Sequence, residues 1–513
     1  MNVTNGFNPL AVLNLVSALL ALVLVTGIAG CEPDREDSTR RPDILFVILD
    51  TLRADHVSSY GYPKPTTPQL DAVAEAGALF EDVTAPGAWT WPSHASIFTG
   101  EPPWIHGAHG APDLETENQV EDPDIDSLGM RVTKMREDLP TLAERLEGAG
   151  YFSAAIATND WLAESLGLTR GFSRVQIFGR DARVIDAARD QIDHPPDRPL
   201  FLFVNLLSAH IPYREGPGIW SLDDPAFFDP KTAPEWARPY LLVEKRPFGI
   251  NLNKKGANGE KVGIERYLAG ELAIPEHGLQ NLRDLYDASV RAADFSFGRI
   301  LEAWTARFPE GIVIVASDHG EAFGEHQLLE HRHAVYPEEV SVPLVVAAPR
   351  RIAAGQQIAA PVRLESIYAT ILDLAGVERT AESLLRFVVE LDAAGAKRTP
   401  SAETLQPIHS VVWPNQGLSQ RIGGRFAKLW FLYREDNRAV ILSGAGDIEF
   451  YDLESDPWMR NNLGVETTDP FDDDLQQRAR AALRAAQIEA DSEAAIELDH
   501  QMRQRLENLG YGS

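Results

Sequence analysis

The segment Ala88-Trp89-Thr90-Trp91-Pro92-Ser93-His94 places a hydroxyl next to the start of a helix. Proline is tolerated in a first helical turn, where its missing N–H would have no intrahelical acceptor. A helix is therefore expected over 92–99, with Gly100 as its stop and Thr90 just before its N-terminus. The free N–H groups and the dipole of such an end favour an anion, which a sulfuryl or phosphoryl group under attack would be. The commoner role of a Thr there is an N-cap, so its neighbours decide. Asp50 opens one polar segment, Asp50-Thr51-Leu52-Arg53-Ala54-Asp55, and Asp318-His319 opens another, Ser317-Asp318-His319-Gly320-Glu321. Two carboxylates and an imidazole are ligands for a divalent cation. With the Thr90 oxygen they make a four-ligand set able to convert a hydroxyl into a nucleophile and polarise an ester oxygen.

These residues need elements to carry them. Residues 43–49 form a continuous apolar, β-prone run that reads as a strand buried on both faces and ends at Asp50. Runs at 200–207 and 312–316 read the same way, the first followed by His210 and the second by Asp318-His319. Further strands are expected over 152–158 and 342–347, and helices over 68–77, 140–150 and 282–304. Strands alternating with helices predict an α/β fold with a mainly parallel sheet flanked by helices. Ligands of such sheets bind beyond the carboxyl ends of the strands, where Asp50, His210 and Asp318-His319 all fall. Residues 214–276, rich in Pro, Trp and charge, read as an insertion over that edge. Short β-like runs at 426–433, 439–442 and 448–453 predict a small antiparallel sheet within a subdomain at 379–466. The end of the chain, 467–513, reads as a charged helical tail.

Taken in order, these segments resemble the sulfatase-like branch of the alkaline phosphatase superfamily. The resemblance runs through Asp50 to Asp55 with Gly61-Tyr62 and Thr67-Pro68, then Thr90 to Gly100, Gly150-Tyr151 with Asn159, and His210-Ile211-Pro212-Tyr213. It continues through Ser317 to His326, Val342-Pro343-Leu344, Leu372 to Gly376, and Tyr451 to Pro457 with Asn462-Leu463. It implies a catalytic domain over 42–378 with an alkaline-phosphatase-like sheet. Asp50, Thr90, Asp318 and His319 would hold one divalent metal ion, with Ca, Mg, Mn and Zn not distinguished. Thr90 would be the nucleophile. His210 would contact the transferring group or protonate the leaving oxygen. His331, His333 or Arg332 would stand where the family has a cation near the site, and Arg53 and His331 are candidate substrate contacts. His94 is a further candidate catalytic residue.

The departures from the family pattern are specific. Sulfatases carry a Cys or Ser that is oxidised to formylglycine, with Arg four residues on. Here Thr90 and His94 hold those positions, and Thr51 replaces the second aspartate of the usual pair. Threonine cannot become that aldehyde, so water must attack the sulfur or phosphorus of a Thr ester directly. That chemistry, and the Asp, Thr, Asp, His set, resemble Thr-type phosphodiesterases and phosphoryl transferases. A hydrolase of sulfate or phosphate esters, acting on a small-molecule, glycan or lipid substrate, is the first expectation. A phosphodiesterase or phosphoryl-group transferase acting on an envelope lipid or glycan is the second, and an inactive glycan- or partner-binding homologue the third. The transferases usually have several membrane spans, against one apolar run here, and retention of the metal set opposes the inactive reading.

Composition agrees. The chain has 513 residues with 47 Lys+Arg against 76 Asp+Glu, a formal charge of -29, which supplies no basic footprint for nucleic acid. Its one cysteine, Cys31, rules out an internal disulfide or a thiolate metal site. Cys31 follows an apolar run at 10–29 and the small residues Ala29-Gly30, as in a bacterial lipoprotein signal, although the Lys/Arg head of such signals is missing. The expectation is a signal at 1–31, lipidation of Cys31, and a charged tether at 32–41. An exported enzyme would then be held on the periplasmic face of a membrane by an acyl anchor. The sequence does not fix an oligomeric state.

Overall fold

The computed structural model describes residues 40–110, 132–213, 242–243, 246–247, 263–392, 394–400, 407–464, 470–490, 501, 502 and 505. The expected lipoprotein signal, Cys31 and most of the expected insertion at 214–276 lie outside them. Residues 42–513 form one compact unit. Among the described residues no helix is long and apolar enough to cross a membrane.

The elements that position the site are β1 (Ile44–Leu49), α1 (Pro68–Ala76), β2 (Ala78–Phe80), α2 (Thr90–Thr99), α3 (Leu142–Gly148), β3 (Phe152–Ala157) and β4 (Arg174–Ile177). They continue with α4 (Asp181–Asp193), β5 (Leu200–Leu206), α5 (Glu276–Arg307), β6 (Ile312–Ala316), β7 (Leu344–Ala347), β8 (Gln356–Ile358) and α6 (Ser366–Leu374). One eight-stranded sheet runs β8-β2-β7-β6-β1-β5-β3-β4. β1 lies between β5 and β6, parallel to both, and β3 continues the parallel set beside β5 and β4. Only β7 opposes its neighbours, pairing antiparallel with β6 and β2. The central strands β1, β5 and β6 are buried along their whole length, as their unbroken apolar runs require when both faces are covered.

Helices cover the sheet for readable reasons. α3 starts with a capping box, in which the Thr141 hydroxyl accepts from the Glu144 N–H and the Glu144 carboxylate accepts from the Thr141 N–H. α5 packs a stripe including Leu282, Leu285, Tyr286, Ala293, Phe297, Ile300 and Trp304 into the core. It starts six residues before its expected position and ends three after it. The C-terminal sheet has four antiparallel strands, β9 (Ile408–Val412), β10 (Trp430–Glu435), β11 (Arg438–Ser443) and β12 (Ile448–Asp452). Its own core joins Val411, Phe431, Val440, Leu442 and Phe450 to Leu475, Ala479 and Leu483 of α7 (Pro470–Ala490). The sequence reading lacked β9, whose Val411 N–H donates to Pro86 O at 3.0 Å. That bond ties the small sheet to the segment leading into Thr90.

Candidate active site

Four neighbouring parallel strands deliver side chains to one place. β6 leads into Asp318 and His319, β1 into Asp50, and β3 into Asn159, while β5 supplies Asn205 from its last turn of pleat. Asp50 Oδ2 accepts from Asn159 Nδ2 at 2.9 Å and from Asn205 Nδ2 at 3.0 Å. Asn159 Nδ2 also reaches Thr90 Oγ1 at 3.1 Å. One amide thus fixes the hydroxyl and the carboxylate relative to each other. Asp50, Asp318 and His319 each offer a ligand atom, all within 4.8 Å of one another, and all three residues are fully buried.

Backbone geometry holds this arrangement. Thr51 has φ 60°, a left-handed conformation rare for a β-branched residue and costing on the order of 1–3 kcal/mol. It is over-determined: its N–H donates to Asp318 Oδ1, its hydroxyl to Asp50 O, and its carbonyl accepts from the Tyr286 hydroxyl. The Thr51 hydroxyl is therefore spent on the turn, while its amide orients a carboxylate. Gly320, following His319, lies so close to the Glu338 carbonyl that an added Cβ would sit 2.1 Å from it.

α2 begins two residues earlier than the proline suggested. Trp89 is the N-cap, and Thr90 is the first helical residue, so it is not itself a cap. Every residue of α2 is buried. His94, one turn on, directs Nδ1 to Thr90 O at 3.1 Å and to Asp318 Oδ2 at 3.3 Å. Burial works to lower its pKa, but Asp318 and Asp50 outweigh burial and hold it above the ordinary imidazole value.

The electrostatics are those of a cation site. Burial and the Asp318 charge push Asp50 up to about 6. For Asp318, burial is outweighed by His319 and His94, which hold it well down. Asp50 Oδ1 and His319 Nε2 have no hydrogen-bond partner among the described residues, and Asp318 Oδ2 has the His94 ring at 3.3 Å. Buried acceptors normally find one. His319 Nδ1 lies 3.0 Å from Gly320 O, which favours the tautomer with a proton on Nδ1 and a lone pair on Nε2. The donor set fits a divalent cation.

The other sequence candidates fall in three places. His331 lies against His319, ring centroids 4.5 Å apart and planes tilted by 37°, and holds Nδ1 3.0 Å from Glu321 Oε1. His210 stands against His331 at 5.0 Å, and burial lowers its pKa to about 4. Arg53, 2% exposed, is an internal clamp. Its fork holds Asp55 through two bonds and also bonds Glu321 O and Glu325, so its donors are engaged within the protein. His333 faces Phe426 and a cavity against the C-terminal sheet. Asn159 and Asn205 went unread as site residues. The available signal for Asn205 was a lone amide inside an apolar strand, and for Asn159 its place two residues past a strand end.

The Sulfatase family profile matches residues 42–377, and the chain belongs to that family. It is a sulfatase-like hydrolase of ester bonds. It is 23% identical to an N-acetylglucosamine-6-O-sulfatase of Bacteroides thetaiotaomicron, over 87% of each chain. It is 29% identical to arylsulfatase K of Homo sapiens, over 88% of this chain and 84% of that one. A structure solved in complex with its substrate D-glucosamine-2-N,6-O-disulfate superposes with TM-score 0.65 at 19% identity, over 88% of this chain and 99% of that one. The phosphonate monoester hydrolase of Agrobacterium radiobacter gives 0.59 at 18%, over 90% and 99%. The architecture is thus alkaline-phosphatase-like: a mainly parallel sheet flanked by helices, with a small C-terminal antiparallel sheet.

Proposed function

We propose that this protein hydrolyses sulfate or phosphate esters through Thr90, with Asp50, Asp318, His319 and the Thr90 hydroxyl holding one divalent metal ion. The observation that carries this reading is the shared amide: Asn159 bonds Thr90 Oγ1 and Asp50 together, beside Asp50 Oδ1 and His319 Nε2, which have no hydrogen-bond partner among the described residues. When bound there, a divalent ion would lower the hydroxyl pKa and polarise a non-bridging ester oxygen. Thr90 Oγ gives up its proton and bonds to the sulfur or phosphorus, and the ester oxygen leaves with a proton. The start of α2 presents its dipole to the anionic group. Water then attacks the same centre, displacing Thr90, whose oxygen regains a proton. His210 suits this second half. Its Nδ1 lies against Ile211 O, so the neutral ring keeps a lone pair on Nε2 for the proton of the attacking water. His94, one turn along α2, braces Thr90 through its carbonyl and Asp318 through its carboxylate.

Thr90 favours phosphate esters, because a Thr sulfate cannot release sulfate by collapse of an aldehyde hydrate. The test uses the metal-loaded protein with aryl sulfate, aryl phosphate and bis-aryl phosphate. Turnover of at least one ester, with the phosphates faster, is expected. No turnover with Ca, Mg, Mn or Zn, and no metal retained, would sink the reading.

Cys31 after the apolar run at 10–29 supports export as a lipoprotein, with the enzyme on the periplasmic face of a bacterial membrane. Cys31→Ser is expected to abolish acylation and membrane retention. Unchanged acylation in that variant would refute the anchor.

A further inference from the structure

A cavity of about 240 Å³ separates the active-site loop from the C-terminal sheet. His333 and Tyr336 line it from the loop, and Arg425, Lys428, Trp430 and Glu449 from the small subdomain. The loop that lines it also borders the catalytic group. His331, two residues before His333, lies against His319, and the Arg332 N–H donates to Ala88 O at 3.0 Å, two residues before Thr90.

The lining is polar in an unusual way. His333 is 3% exposed, yet neither ring nitrogen has a hydrogen-bond partner among the described residues. Burial lowers its pKa to about 3, so the ring is neutral and offers one N–H donor and one lone pair, the complement of a hydroxyl. Arg425 bonds the His326 carbonyl at 2.8 Å and forms no ion pair among the described residues. The other charges are committed: Lys428 pairs with Asp447 at 2.7 Å, and Glu449 accepts from the hydroxyls of Tyr336 and Tyr451. Trp430, with Ile441 beside it, adds an apolar face. A neutral hydroxyl partner, an unpaired cation and an aromatic wall together describe one kind of guest. The volume equals that of about eight liquid waters, enough for a single ring.

We propose that this cavity is a binding subsite for an acidic sugar ring, the non-reacting part of the ester substrate. His333 hydrogen-bonds a ring hydroxyl, Arg425 receives the carboxylate or sulfate, and Trp430 covers a ring face. The link to substrate rests on the hydrolase reading; the binding itself does not.

Titration calorimetry of the full, metal-loaded chain with glucuronate tests it, with glucose as the neutral control. Glucuronate is expected to bind with a Kd roughly in the millimolar range, and glucose about tenfold more weakly. Arg425→Gln should erase that preference, and His333→Phe should weaken both sugars. If Arg425→Gln fails to fold, shown by its melting curve, Arg425→Lys carries the same test: it keeps a charge without the guanidinium fork and should narrow the preference. The proposal is overturned if glucuronate gives no heat, or binds no better than glucose. It is equally overturned if the preference survives every folded variant. Aryl-ester turnover, measured separately, decides the hydrolase reading, so the two can fail independently.

Discussion

Two buried polar clusters lie within reach of the same helix, α5, and they are built on opposite principles. In the first, Asp287 accepts from His56 Nδ1 at 2.7 Å, from the Tyr62 hydroxyl at 2.8 Å and from Lys64 Nζ at 2.6 Å. Its carboxylate is fully buried and closed on every side. In the second, Asp50, Asp318 and His319 are equally buried, but Asp50 and His319 each keep one ligand atom without a hydrogen-bond partner among the described residues, and Asp318 Oδ2 has only His94 at 3.3 Å. Burying an unpaired carboxylate is costly, and the cost falls only when partners or a cation arrive. A closed cluster is therefore read as structure and an open one as a site, although composition and burial are alike.

The contrast can be broken or sharpened by substitution. Thr90→Ala is expected to lower kcat by at least ~10³-fold while leaving the melting temperature nearly unchanged; full activity in that variant ends the nucleophile assignment. Asp287→Ala should do the reverse, costing about 3–5 kcal/mol in denaturant unfolding through the stranded cations, with the surviving folded enzyme still active. Asn159→Ala should lose about 10²-fold in kcat, as expected when a positioned donor is removed. An unchanged kcat would show that the shared amide is incidental.

His106 extends the closed class and predicts a pH response. Its Nε2 lies 2.9 Å from Ser96 Oγ and its Nδ1 accepts from the Ala108 N–H, so the fold wants it neutral, and burial lowers its pKa to about 3. A folded pKa below the unfolded value gives stability that is present above about pH 6.5 and lost as pH falls toward 3. Each unit in that window should remove about 1.4 kcal/mol, and His106→Gln should flatten the slope in urea unfolding at several pH values. The smallest effect is the most discriminating. Asp50→Asn should stabilise the metal-free protein by about 1 kcal/mol, since burial and the Asp318 charge disfavour its ionised form. Destabilisation of that variant would move Asp50 into the closed class.

Much of this was legible in the sequence where period and burial coincide. The runs at 43–49 and 312–316 are apolar because both sheet faces are covered, and the polar residue ending each run marks the ligand edge. Thr90 was found by type and neighbours, but its place in the helix was misread by two residues. Pro92 can occupy any position of the first turn, so it does not fix the cap. The strand near Val342 was legible, yet its antiparallel direction was not, because direction is set by pairing across the sheet. Asn205 and Asn159 act through side-chain reach across neighbouring strands, which no periodicity records. His333 shares a tripeptide with His331, but adjacent residues in an irregular loop point to different walls, and spacing alone could not separate them.

The sheet order has one more consequence. Asp50 and the Asp318-His319 pair leave adjacent strands, and neighbouring strands stand about 4.8 Å apart in any sheet. His319 Nε2 lies 3.7 Å from Asp50 Oδ1 and 3.5 Å from Asp318 Oδ2, a gap that short side chains on adjacent strand ends can close. The backbone ladder works as a gauge block: it brings the two strand ends within reach before any side chain is chosen. Loops, insertions and even the nucleophile can be exchanged around it without recalibrating the distance. A lineage can thus change its chemistry while inheriting its dimensions.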